Sequence, residues 1–193
     1  MNSLTKNRLK LVFIAILFAL PVMTAWTVFS NPQWLDGGET KNYGELVSPA
    51  IPSKLSNFII NGEKTNLDHL KGRWVLLHLD VDGRCDEGCE KSVHMLRQLH
   101  TLLNKDASRL VRVYLNSSND AVSGVLSNDP KLSVYTWNNE HLLSLKKLIK
   151  DVSDGDMLML DPLGNIMMRY QQDADPYGIK KDWKLLFKAS QIG

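Results

Sequence analysis

Residues 74–103 read WVLLHLDVDGRCDEGCEKSVHMLRQLHTLL, and this stretch decides the fold. Trp74 to Leu79 form a short, almost wholly apolar run, the pattern of a central strand buried on both faces. A polar loop, DVDGRCDEGC, follows from Asp80 to Cys89. Beyond it Cys89, Val93, Leu96, Leu99 and Leu103 recur at three- and four-residue steps, which lays them along one face of a helix. A buried strand thus feeds a loop that carries both cysteines of the chain, and the loop opens directly into a helix.

Outward from this unit the same alternation continues. Leu110 to Leu115 (LVRVYL) predicts a second central strand, and Asn139 to Ile149 a helix. Met157–Leu160 and Ile166–Tyr170 flank Asp161-Pro162-Leu163-Gly164-Asn165, a hairpin turn. Ile179 to Ala189 is amphipathic, with Ile179, Trp183, Leu186 and Phe187 on one side. Upstream, Phe58 to Ile60 followed by Asn61-Gly62 predicts a short strand and a tight turn. Strands alternating with helices imply an α/β sandwich. Cysteines placed between a buried strand and a helix narrow that class to a thioredoxin-like fold.

The N-terminus has a different character. Leu11 to Phe29 (LVFIAILFALPVMTAWTVF) is uncharged throughout, the length a helix needs to cross a bilayer. Trp26 falls near its outer end, where aromatic rings favour the headgroup level. A cleaved signal peptide is the rival reading, but the apolar run is long for one and TAWTVFSNPQW is a poor cleavage context. Lys6, Arg8 and Lys10 precede the span, and no Lys or Arg follows until after Thr40, so the positive-inside rule leaves the N-terminus in the cytoplasm. The expected division is a cytoplasmic N-terminus (1–10), a single transmembrane anchor (11–29), a linker (30–54) and a thioredoxin-like domain (55–193). The expected location is a bacterial inner membrane with the domain in the periplasm.

Of 23 basic residues three lie before the span, leaving 20 against 21 acidic ones in the rest of the chain. So balanced a surface, without a basic stripe, argues against nucleic acid as a partner.

The chemistry of the chain centres on Cys85 and Cys89. An oxidising compartment permits a disulfide, and residues four apart at a helix start lie within reach of one. Two thiolates so placed are also able to hold one soft ion such as Cu(I). Cys85 and Cys89 are therefore the candidate catalytic residues and the candidate metal ligands, with the third ligand unknown. A helix N-terminus lowers a thiol pKa, whereas Asp80, Asp82, Asp86, Glu87 and Glu90 oppose thiolate formation and attract cations. A bridge closing so short a loop adds little stability in the chain-entropy view.

The chain resembles the Sco/SenC family of thioredoxin-like, membrane-anchored proteins. The likeness lies in the N-terminal anchor, the strand ending near C-x-x-x-C and the late strand leading into Asp161-Pro162-Leu163-Gly164. Asn42-Tyr43-Gly44-Glu45-Leu46, followed by Pro49, and Arg97-Gln98 resemble a divergent subgroup. The resemblance implies an accessory role in cytochrome c oxidase assembly, through dithiol/disulfide chemistry or transient Cu(I) transfer, with an oxidase subunit or its assembly factors as partner. That is the work of an assembly factor or chaperone, with thiol-disulfide oxidoreductase activity as its enzymatic form. Two departures stand out. Glu90 occupies the place of the family's Pro, and the copper-ligand His is absent, Ser153 standing where it is expected.

Other residues offer weaker candidates. His94 lies about 140° around the helix from Cys89, His78 reads as a satisfied core histidine, and His69, His100 and His141 have no motif context. Met157 and Met159 are spaced as core residues of a strand, although thioethers bind Cu(I). Asp154 and Asp156 lack calcium-loop spacing. Two alternative functions remain: a non-enzymatic thioredoxin-like interaction module with a structural disulfide, and a thiol-disulfide oxidoreductase of general specificity.

Overall fold

The structure, a computed structural model, describes residues 3–31, 34, 42–52, 58–60, 63–65, 70–117, 129–137, 139–149, 151–190 and 192. The chain divides into two units, Met1–Lys41 and Asn42–Gly193.

The first unit contains helix α1, Ser3–Ser30, with Pro21 inside it. Its apolar side chains surround the axis, Phe13, Phe18, Met23 and Trp26 all being exposed. A helix apolar on every side suits lipid. Leu4–Ser30 is long and apolar enough to cross a membrane; at 1.5 Å per residue it is about 40 Å long, against a hydrocarbon core of about 30 Å. The helix starts before Leu11 and carries Lys6, Arg8 and Lys10 on its first turns. Lys and Arg are good helix formers, so nothing at the sequence level stops the helix there.

The second unit begins with strands β1 (Glu45–Pro52), β2 (Phe58–Ile60), β3 (Glu63–Thr65) and β4 (Trp74–Asp80). Helix α2 (Glu87–Thr101), a 3-10 turn (Asn104–Arg109), β5 (Leu110–Asn116) and β6 (Leu132–Thr136) come next. Helix α3 (Asn139–Leu148), β7 (Met157–Leu160), β8 (Asn165–Tyr170) and α4 (Pro176–Ala189) complete it. Among the described residues the strands form one sheet in the order β1-β8-β7-β4-β5-β6-β2-β3. β4 pairs parallel with β5 and antiparallel with β7, so its backbone is bonded on both edges.

All seven residues of β4 are buried, as an apolar run with two covered faces requires. Val75, Leu77 and Leu79 pack with Val113, Leu115, Leu158, Trp137 and Ile149 on one face. Trp74 and Leu76 pack with Met157, Met159, Leu96, Ile179 and Trp183 on the other. Each such leucine contributes about 1.5–3 kcal/mol of burial, and the alternation along β4 fixes which residues face α2.

The linker expected over 30–54 is corrected in its second half. Glu45–Pro52 is an edge strand pairing antiparallel with β8. Tyr43 and Gly44 donate their backbone N–H groups to the buried Asp182 carboxylate at 3.0 and 2.9 Å. Pro49 and Pro52 hid the strand, although an edge strand tolerates proline because one side of its ladder is unpaired. Strands β3 and β6 were likewise unexpected, and the Asn61-Gly62 turn lies outside the described residues.

Candidate functional site around the Cys85–Cys89 bridge

β4 ends at Asp80, and residues 81–86 turn the chain into α2. The acidic side chains of this loop build it. Asp80 Oδ1 accepts from the Gly83 N–H at 2.6 Å, and Gly83 has a φ of 76° that favours glycine. Asp82 accepts from Arg84 N at 2.8 Å. Asp86 caps α2, its carboxylate accepting from Cys89 N at 2.9 Å. From across the sheet Asp154 accepts from Val81 N at 2.6 Å and Asp82 N at 3.3 Å.

On this frame Cys85 and Cys89 lie 5.1 Å apart at Cα and are joined as a disulfide. Cys89 is buried at 2% exposure with Val93 and Tyr114, while Cys85 is half-buried and packs against that cluster. The two sulfurs are thus unequal in access.

Beneath the buried sulfur lies a polar row that the sequence reading did not assemble. Tyr114 Oη is 3.3 Å from Cys89 Sγ and donates to Asp80 Oδ2 at 2.6 Å. Burial pushes the Asp80 carboxyl above its ordinary value, and the charges of Asp154 and Asp82 add to that against the hydrogen bonds from Tyr114 and Gly83. Burial, reinforced by Asp80, also pushes the Tyr114 hydroxyl upward. Trp137 Nε1 donates to the Asp80 carbonyl at 3.1 Å and fixes the strand end. The sequence marks the members but not their pairing: His78 and Asp80 in β4, and Arg112 and Tyr114 in β5, are polar residues at alternate positions of otherwise apolar strands. In parallel register His78 pairs with Tyr114 and Asp80 with Asn116, so these residues share the α2 face.

His78 corrects the reading of a satisfied core histidine. It is 2% exposed, stacks on Tyr114 and, among the described residues, has no hydrogen-bond partner at either ring nitrogen. Burial lowers its pKa to about 4. Gln172 was also missed: a Cβ on Gly88 would stand 3.0 Å from its Nε2, and one on Gly155 2.6 Å from its Cδ. Both glycines make room for that side chain between the first turn of α2 and the Asp154 loop.

The remaining candidates are dispersed. His94 is exposed and bonded to Gln98, and His100 bridges the carbonyls of Ala107 and Leu110. Met157 and Met159 are wholly buried core residues. His69 and the side chain of His141 lie outside the described residues. Ser153 donates its N–H to Asp156, whose carboxylate accepts from Arg169 Nε at 2.8 Å. Among the described residues, His, Cys, Asp and Glu donors converge in one group of three, Asp80, Asp82 and Asp154, which contains neither sulfur. Among the described residues, no third His, Cys, Asp or Glu donor joins Cys85 and Cys89 in such a group.

The fold is shared with copper-bound yeast Sco1 (TM-score 0.59, 14% identity, 74% of this chain and 96% of that one). It is shared with a Bacteroides thiol:disulfide interchange protein (TM-score 0.54, 11% identity, 74% and 91%). It is also shared with BsSco, described as a Sco-family cytochrome c oxidase assembly protein with a disulfide switch (TM-score 0.52, 14% identity, 72% and 96%). No curated protein matches the sequence. A family model matches residues 74–190, from the first residue of β4 to the end of α4, which is more than half of the chain. The chain belongs to that family, the transmembrane-like, thioredoxin-like C-terminal domain.

Proposed function

We propose that this protein is a membrane-anchored, periplasmic accessory factor for assembly of a respiratory cytochrome c oxidase, working through the Cys85/Cys89 dithiol/disulfide couple. The observation that carries the reading is the asymmetry of the bridge. A half-buried Cys85 sulfur is open to attack, and a buried Cys89 sulfur at the N-terminus of α2 is placed to leave. The fold shared with Sco proteins supports the oxidase connection. Among the described residues no third His, Cys, Asp or Glu donor joins the two sulfurs, which favours thiol chemistry over copper carriage. The apolar α1, with its basic start, supports a single-pass anchor with the domain outside the cytoplasm.

The test is a strain carrying Cys85→Ser/Cys89→Ser. The variant protein accumulates folded, and assembled oxidase activity is lost. Normal oxidase activity in that strain contradicts the proposal. An anaerobic Cu(I) titration of the reduced protein, beside the same double variant, checks the choice of chemistry. Stoichiometric binding that the variant abolishes would return the reading to copper transfer.

A further inference from the structure

Resting on the dithiol/disulfide reading above, we propose that Tyr114 is the acid that protonates the Cys89 sulfur as the bridge opens, and that Asp80 is the positioning residue that resupplies its proton. The atoms are already in line, with Cys89 Sγ to Tyr114 Oη at 3.3 Å and Tyr114 Oη to Asp80 Oδ2 at 2.6 Å. Tyr114 is wholly buried, so a thiolate formed on Cys89 meets this hydroxyl before it meets solvent. With a proton on Asp80, the carboxyl donates to the tyrosine oxygen and the tyrosine donates to sulfur.

The reaction runs with an external dithiol as reductant. One thiolate of the dithiol attacks the half-buried Cys85 Sγ and forms a mixed disulfide. The Cys85–Cys89 bond breaks and its electron pair leaves on Cys89. Cys89 takes the Tyr114 proton while Tyr114 takes the Asp80 proton. The second thiolate of the reductant then displaces Cys85, which takes a proton from water, and the reductant departs as a disulfide. Asp80 regains its proton from solvent at the loop edge. Two electrons and two protons have passed to the bridge, and the two protons released by the dithiol balance those taken up.

Titratable and charged groups face the relay from the elements packed against it. From β4, His78 stacks on the Tyr114 ring and stays neutral. The loop contributes Asp82, Arg84 and Asp86, and the segment before β7 contributes Asp154 and Asp156, the latter engaged by Arg169. From α2 the facing group is Cys89 itself. Burial first, and then the charges of Asp154 and Asp82, raise the Asp80 pKa against the hydrogen bonds from Tyr114 and Gly83.

The test measures reduction of the full-length chain in detergent micelles by dithiothreitol between pH 5 and 8.5, by alkylation and mass spectrometry. Rate constants are corrected for the thiolate fraction of the reductant. The wild-type constant exceeds that of Tyr114→Phe about tenfold or more at the acid end of the range, and the excess shrinks as pH rises. Asp80→Asn and Tyr114→Phe give flat profiles, whereas a structural role alone would scale every rate equally. Tyr114→Phe keeps the stacked ring and carries the test if Asp80→Asn fails to fold. A profile of wild-type shape in Tyr114→Phe overturns the relay and leaves the dithiol reading standing. A wild-type bridge that dithiothreitol does not reduce at any pH overturns both.

Discussion

His78 and Tyr114 stack ring on ring across the β4–β5 pair, with centroids 5.3 Å apart and planes 16° from parallel. The stack lies under α2, where Leu76, Val93, Leu96, Leu132 and Arg112 line the space at the imidazole while the phenol extends to the Cys89 sulfur. One face of the sheet therefore holds an uncharged histidine, a buried tyrosine and a disulfide in sequence.

The enclosed imidazole makes stability depend on pH. Its folded pKa of about 4 lies below the unfolded value of 6.5, so protonation favours unfolding. The stabilising difference is complete above pH 6.5 and declines as pH falls towards 4, by about 3 kcal/mol. Asp80 and Asp156, whose pKa values burial raises, work in the opposite direction, because their protonation favours the folded state. Urea unfolding at pH 7 and pH 4.5 should show the acid loss in the wild type and much less of it in His78→Leu. An equal loss in both would contradict the assignment.

Gly44 is a packing constraint at the start of the domain. A Cβ there would stand 2.5 Å from Tyr170 Cε1 and 2.7 Å from Met168 Cγ, both in buried side chains that cannot swing away. Gly44→Ala should cost about 1–3 kcal/mol and loosen β1 from β8. Hydrogen exchange at the β1 amides checks this; unchanged protection would refute it.

Arg112 and Asp129 form a buried bidentate pair at 2.7 and 3.0 Å. Burial raises the Asp129 pKa, but the Arg112 hydrogen bond and charge outweigh it and leave a net lowering. Asp129→Ala leaves a guanidinium buried without its partner and should cost about 3–5 kcal/mol. Denaturant midpoints of the single variants against Arg112→Met/Asp129→Leu test the origin of the loss. The double variant should recover most of the stability.

How much of this was readable in advance follows from which signals are local. α2 and α4 were legible from apolar steps of three and four residues, and β4 and β5 from apolar runs too short for a buried helix. β1 was not, because Pro49 and Pro52 read as linker and its partner β8 lies more than a hundred residues away in sequence. The cysteine pair was legible from spacing and position. The Tyr114–Asp80 contact was not, because it depends on the parallel register of two strands separated by a helix, which no local pattern fixes. His78 was read as satisfied because burial is legible from an apolar run and hydrogen-bond partners are not.

Removing the bridge should spare the fold. In the chain-entropy view a loop of this length contributes about 2 kcal/mol, while the two apolar faces of the sheet are untouched. Cys85→Ser/Cys89→Ser should keep the wild-type circular dichroism spectrum and melt a few degrees lower. Loss of the spectrum would make the bridge structural.

The most direct test of the central claim is the equilibrium potential of the Cys85/Cys89 couple in the full-length chain, titrated with glutathione redox buffers. A working couple should have a midpoint above about −300 mV, within reach of biological dithiols. A midpoint below that value would mark an inert structural bridge and contradict the account.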